Sequence, residues 1–401
     1  MFKTTKNSYR SLVSQAPTFA IILVAITMVG LSAPGVCLAA DHHPVSLQFF
    51  HPLSTSTNPE ASTNARLALL YGRSGNIQGF DATGVASITG GDFTGVQMTG
   101  LYSQVRGSFT GASFNFGVQV HQGVATGVQF SGIANFHQDF FAGAQISGSL
   151  NYTHRGFVGA QISGLMNLND GYGGYLQASS VANVNVKAFG GVQLAAIMNF
   201  AGDETFGAQL ALLNYADQIQ GAQIGLLNLA HKMSGLQMGV VNISNNIEGV
   251  PLGLVNLTDD GQVDGLVYGS NLALYNVGLR TVVNNWSSMV SLGYSDQSSV
   301  SSKASNSGFL GWHFGRVFPV NGKFDLTVDA GYLHIIPKDY DDAAINDEPH
   351  FALQMRLFAD YHLGKNVSLF GGGGLSTIFS EYTTHARSET EAHLFGGISL
   401  F

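Results

Sequence analysis

The sequence predicts an all-β protein, and three observations predict it. A glycine recurs at fixed spacing from Gly79 to Gly265. Between those glycines the side chains alternate apolar and polar. The rest of the chain is a series of strand-length segments separated by turn residues. With 51 Gly and only 10% charged residues among 401, the chain is too glycine-rich for helices. It is also too apolar and aromatic for disorder.

The N-terminus carries Lys3, Lys6 and Arg10, then the apolar run Phe19 to Ser32, then small residues ending Cys37-Leu38-Ala39-Ala40. Residues 1–40 read as a secretory signal peptide with cleavage near Ala40. The run is shorter than the roughly 20 residues of a spanning helix. Cleavage there removes the single cysteine, so disulfides and thiol chemistry are not expected. Residues 41–78 are expected to supply N-terminal barrel strands, Val45 to Leu53 and Ala65 to Tyr71, around a polar loop.

In residues 79–265, Gly79, Gly95, Gly111, Gly127, Gly143 and Gly159 are 16 residues apart. After an irregular unit near Tyr175 the series resumes at Gly191 and Gly207, then tightens to 14 at Gly221, Gly235 and Gly249. It returns to 16 at Gly265. Such self-similarity marks a repeat architecture. Within units, Val128, Phe130 and Phe136 share one parity, and Gln129, Ser131, Asn135 and His137 share the other. Period-2 alternation makes strands with one apolar and one polar face.

Residues 266–401 read as longer strands, at Ser270–Val283, Trp286–Ser295, Gly308–Val320, Phe324–Ile336, His350–Leu363, Val367–Phe379 and Glu391–Phe401. Short turns such as Asn284-Asn285 and Asn321-Gly322 alternate with long polar connections. That asymmetry is the pattern of an outer-membrane antiparallel β-barrel. No later segment reads as a spanning helix, so membrane insertion requires a closed barrel. Phe324, Leu326, Val328, Phe351, Leu353, Met355 and Leu357 are expected to face lipid. Asp325, Asp329, Gln354, Arg356 and Asp360 are expected to line the lumen, because Arg at mid-membrane on the lipid face costs about 2–4 kcal/mol.

The units Gly221-Ala222-Gln223-Ile224-Gly225-Leu226-Leu227-Asn228 and Gly235-Leu236-Gln237-Met238-Gly239-Val240-Val241-Asn242 precede strands that end in Phe401. In this the chain resembles bacterial surface-repeat outer-membrane proteins with Gly-x-Gln-x-Gly-x-x-Asn repeats and a C-terminal β-barrel. The resemblance covers roughly the whole mature chain. It implies outer-membrane location, contact with outer-membrane lipid and engagement of the barrel-assembly machinery by the C-terminal strand ending Phe401, and it carries no catalytic residues. Gly397 and Ser399 depart from the large apolar residues usual in such a final strand.

The repeats admit two arrangements. Each unit is either one barrel strand with a short turn after Asn, or one coil of a parallel β-solenoid attached to a smaller barrel. The single polar turn per unit favours barrel strands, and the repeats are expected to form part of the antiparallel barrel, with the solenoid as the alternative. The loss of one residue between Gln and Asn, and another between Asn and the next Gly, favours coils with two trimmed corners. In coils, Gln129, Gln145, Gln223 and Gln237 stack into one ladder and Asn135, Asn151, Asn228 and Asn242 into another.

Little in the sequence suggests catalysis or a cofactor. No Gly-x-Ser-x-Gly elbow occurs, and no Cys/His cluster or His-x-x-x-His spacing fixes a metal. Gly371-Gly372-Gly373-Gly374 precedes no helix that could bind phosphate. A formal charge of -8 without a basic face argues against nucleic acid. The expected function is a non-enzymatic outer-membrane barrel of structural or pore-like role. The alternative is a surface-exposed module that binds an unknown ligand through repeats or long loops.

Overall fold

The computed structural model describes residues 41–56, 58–295, 307–337, 349–380 and 387–401. Residues 1–40, where the sequence leads one to expect a signal peptide, and the centres of the three long C-terminal connections, including Ser302, Asp341 and Asp342, lie outside the described residues. The chain forms a parallel β-solenoid of about twelve turns followed by a closed eight-stranded antiparallel barrel.

In a typical coil, a seven-residue strand such as Ala125–Ser131 is followed by a corner, Gly132-Ile133. A four-residue strand, Ala134–His137, and a polar corner at 138–140 complete the circuit. Each strand pairs in parallel with its equivalent one coil away. Gly127 aligns with Gly143, Gln129 with Gln145 and Asn135 with Asn151. Coils of 14 residues keep the same register: Gly207 aligns with Gly221 and Gln209 with Gln223. They are shorter at both corners, as the Gln–Asn and Asn–Gly spacings indicate.

The glycine column follows from this stacking. From Gly79 to Gly235 its members hold φ of 126° to 142°. A Cβ on Gly143 would sit 1.9 Å from the Gly127 carbonyl oxygen. Tyr175 stands in this column with φ 81° and its side chain exposed.

Two expectations are corrected here. The repeats are not barrel strands: neighbouring units run parallel, and a barrel meander requires antiparallel neighbours. Residues 41–78 are not barrel strands either. Ser62–Ser74 pairs in parallel with Ile77–Thr83 and Ala86–Thr89, so it forms the opening coil, and His42–Phe50 joins the same sheet. The physical reason is phase: Arg66 occupies the inward column of Asp81 and pairs with it.

The solenoid is polar inside and apolar outside. Gln129, Ser131, Asn135 and His137 are buried, while Val128, Phe130 and Ile133 are exposed. Its apolar interior is confined to a column near the polar corner. Phe93, Phe109, Phe141, Phe157 and Phe189 stack there, and Ile219, Met233 and Ile247 continue the column.

The barrel strands are Gln262–Ser270, Tyr275–Val283, Trp286–Tyr294, Ser307–Asn321, Phe324–Pro337, Pro349–His362, Val367–Ser380 and Arg387–Leu400. The first and last pair antiparallel, with Gly265 opposite Leu400, and close the barrel. Gly265 therefore belongs to the barrel and not to the repeat series. Asn284 and Asn285 turn the chain at φ 48° and 60°, the left-handed conformation that tight hairpins use and Asn tolerates. Gly371 to Gly374 lie within the seventh strand. There a Cβ on Gly374 would meet the Met355 carbonyl oxygen at 1.9 Å.

Candidate functional site in the two polar interiors

Two amide ladders run through the solenoid. Each Gln side-chain amide donates to the Gln carbonyl one coil earlier, from Gln161 onto Gln145 through Gln237 onto Gln223, at 2.7–2.9 Å. Each Asn donates the other way, from Asn135 onto Asn151 through Asn242 onto Asn256, at 2.8–3.1 Å. The two ladders thus have opposed polarity. The Asn amides also bond backbone carbonyls across the corner, as Asn183 does with Leu194 at 2.7 Å. These bonds close the coil where the chain turns.

The structure therefore brings together Gln145, Gln223 and Gln237, and Asn135, Asn151, Asn228 and Asn242. Gln129 leaves its column, because its carbonyl oxygen lies 2.6 Å from His137 Nε2. His121 and His137 stack at 4.9 Å inside the fourth and fifth coils. They occupy the inward position that Thr153 and Asn169 hold further on. Nδ1 of both rings and Nε2 of Gln145 have no hydrogen-bond partner among the described residues. Burial holds His121 down at about 3. Burial, and then the neighbouring His121, hold His137 well below the usual imidazole range.

At the N-terminal end a buried ion pair starts the Gln column. Arg66 donates to Asp81 at 2.8 and 2.7 Å, and Gln97 donates to Asp81 at 3.1 Å. Burial alone would push the Asp81 carboxyl up. The Arg66 guanidinium and the hydrogen bonds from Arg66, Ser87 and Gln97 outweigh that and hold it below the ordinary range.

The barrel interior is charged. Arg356 grips Asp329 at 2.9 and 2.6 Å and lies 4.9 Å over the Phe395 ring. Arg280 bridges Asp264 at 3.0 Å and Asp360 at 3.0 and 2.9 Å. Gln354 accepts from His313 at 2.7 Å and donates to Ser376 at 3.2 Å. Asp325 is half-buried at the short-turn end, 2.9 Å from His362. Asp329, Gln354, Arg356 and Asp360 thus all point into the lumen and are buried there.

That lumen is packed. Tyr268, Met289, Phe358, Phe370 and Phe395 fill one level, and Leu272, Phe309, Leu333 and Ile378 another. A cavity lined by Tyr268, Asn276, His313, Gln354, Arg356 and His393 measures about 10 Å³, room for about one water. An eight-stranded barrel is just wide enough for its own side chains. Arg280 and Asp264 were not singled out from the sequence. The parity of Asn276, Gly278 and Arg280 could have found the first; Asp264 was hidden by assigning Gly265 to the repeats.

The two interiors meet end to side. The last coil docks on the outer wall of the barrel. Thr281 Oγ1 accepts from the Asn256 N–H at 3.3 Å, and Asn284 donates to the Gly249 carbonyl at 3.2 Å. Ser288 Oγ and Trp312 Nε1 donate to the Gly253 carbonyl. Val283 joins Met233 and Ile247 in one buried cluster and seals the end of the solenoid core. Among the described residues no cluster of three or more His, Cys, Asp or Glu side chains is placed to hold a metal.

Comparison with family models, with curated proteins and with solved structures returned no match. The chain is therefore defined by its architecture: a solenoid with an amide interior, plugged end-on by the wall of a small closed barrel.

Proposed function

We propose that this protein is an integral outer-membrane protein whose barrel anchors the solenoid at the membrane, a structural role without catalysis or conduction. One observation carries the reading. The barrel wall is aliphatic on its outer face, with Val267, Leu279, Leu292, Leu326, Leu357 and Ile398 exposed, while its charges are paired within. A soluble sandwich has the reverse polarity. In lipid such a barrel satisfies every backbone group between strands and leaves no edge. Arg316, on the outer face near the short turns, stacks 4.8 Å over Trp286, a pairing suited to a membrane–water interface.

The pore-like version of this role is disfavoured by the ion pairs and rings that fill the lumen. The test is fractionation of expressing cells followed by planar-bilayer recording. The protein is expected in the detergent-extracted outer-membrane fraction, and bilayers containing it are expected to stay electrically silent. Recovery in the aqueous periplasmic fraction without detergent overturns the membrane reading, and steady single-channel steps overturn the structural one.

A further inference from the structure

We propose that the solenoid lies along the membrane beside the barrel, with one corner immersed in the acyl chains of the adjacent leaflet and the opposite corner in water. This rests on the membrane reading of the barrel.

The first support is segregation of charge. Between residues 79 and 257 every Asp, Glu, Lys and Arg except the buried Asp81 lies at or beside one corner of the coil. Asp170, Lys187, Asp203, Asp217 and Lys232 mark that corner in successive coils. The opposite corner carries no charge in any coil. It pairs a small residue, most often Gly, with Leu, Ile, Val or Phe in every coil but one, Gly148-Ser149, and Leu101, Phe116, Ile133, Leu165, Leu212 and Leu226 stand out from it, Phe116 83% exposed. An exposed apolar ridge of this kind, interrupted at Ser149, marks an interaction surface.

The second is the surface between the corners. Outward positions beside the charged corner include Phe136, Tyr152, Phe200 and Tyr215, with Tyr152 bonding Asp170 at 2.6 Å. Aromatic side chains of this sort sit where acyl chains give way to water. The backbone adds no penalty within the stack, since each inner coil hydrogen-bonds to the coil on either side.

The third is orientation, and it singles out lipid as the occupant. Asn284, in the short turn at the rim of the barrel, holds Gly249, beside the charged corner. Trp312 and Ser288 hold Gly253, at the apolar corner. Trp312 is opposite Val290 and Arg316 is opposite Trp286, so the apolar corner docks four residues further along the wall. At about 3.3 Å per residue that is roughly 13 Å along the strand, or about 10 Å of depth at a strand tilt of roughly 40°, well inside an apolar band of about 25 Å. The apolar ridge thus continues the outer face of the barrel at the same depth, and the charged corner stays at the rim. About twelve coils at about 4.8 Å each make the ridge roughly 55 Å long.

The test uses the full mature chain in phospholipid vesicles, with single cysteines bearing a bimane label. Leu165→Cys and Leu226→Cys report the apolar corner, Lys187→Cys and Lys232→Cys the charged corner, and Leu357→Cys the barrel wall. Lipids with brominated acyl chains are expected to quench Leu165, Leu226 and Leu357 positions several-fold more than the two lysine positions, which iodide quenches instead. If iodide quenches the 165 and 226 labels while the 357 label answers to lipid, the inference fails and the barrel reading stands. If the 357 label also ignores brominated lipid, the membrane reading itself fails. Labels at 165 and 226 shielded from both quenchers indicate a second copy or another protein on the ridge, which also overturns the proposal.

Discussion

The solenoid and the barrel both turn polar side chains inward and aliphatic ones outward, yet they fill their interiors with different chemistry. Parallel, in-register stacking sets each residue against its own equivalent one coil away. Identical charges at that spacing repel, so a repeated inward position needs a group that donates and accepts at once. Gln and Asn amides do this. The antiparallel barrel sets unlike residues against each other, as Asp329 against Arg356, so opposite charges can share the lumen. Among the described residues the one buried ion pair inside the solenoid, Arg66 with Asp81, stands at its N-terminal end, where adjacent coils differ in sequence. Interior chemistry thus follows from strand direction.

Two substitutions break the comparison from either side, and these carry the largest expected effects. Gln177→Glu places an unpaired carboxylate within the Gln ladder, between Gln161 and Gln193. Arg280→Met leaves Asp264 and Asp360 without their shared cation. An uncompensated buried charge costs about 3–5 kcal/mol, and denaturant titration in detergent is expected to show a loss of that order for each. The rescues differ. Acid is expected to restore the Gln177→Glu protein, because a protonated Glu is again a neutral donor and acceptor. Asp264→Asn with Asp360→Asn is expected to restore the Arg280→Met protein. A Gln177→Glu protein as stable as its parent at neutral pH contradicts the ladder account.

Much of this was legible in the sequence. Alternation alone assigned inward and outward faces in Phe324–Pro337 and Pro349–His362, and the structure has that parity throughout the described positions. The choice between coils and barrel strands was harder, because period 2 is common to both. The second corner hid the coils. It is built of Gly132-Ile133, Gly164-Leu165 and Gly225-Leu226, which read as a continuing strand and carry none of the polar residues that mark turns. The trimming from 16 to 14 residues was the only sequence sign of that corner. The Arg280–Asp360 pair was beyond reach because it spans 80 residues and depends on barrel closure.

A neutral deletion sharpens the ladder side with a smaller effect. Asn183→Ala removes donors to Leu194 at 2.7 Å, Gln177 at 3.2 Å and Asn199 at 3.0 Å. It also removes the carbonyl that Asn167 donates to at 2.9 Å. Leaving such groups unsatisfied costs about 1–3 kcal/mol. Because the lost bonds close one corner, hydrogen exchange is expected to rise in the coils around residue 183 before the barrel is affected. Uniform loosening of both regions contradicts that locality.

A pH-dependent effect probes the place where the Gln ladder is interrupted. His121 and His137 are held neutral by burial, with folded pKa values lowered from 6.5, His121 to about 3. Their unfolded forms bind a proton first as pH falls, so their contribution is complete above pH 6.5 and is lost as pH drops toward the folded values. Each proton taken up only by the unfolded chain withdraws about 1.4 kcal/mol per pH unit. Solenoid stability is therefore expected to decline between pH 6.5 and 5, a range in which Asp81 stays paired with Arg66. Replacing the pair by the residues that fill the same column further on, His121→Asn with His137→Thr, frees the Gln129 carbonyl for the Gln145 amide. The double variant is expected to lose the slope between pH 6.5 and 5 while keeping its stability at pH 8. An unchanged acid slope in that variant assigns the titration to other groups.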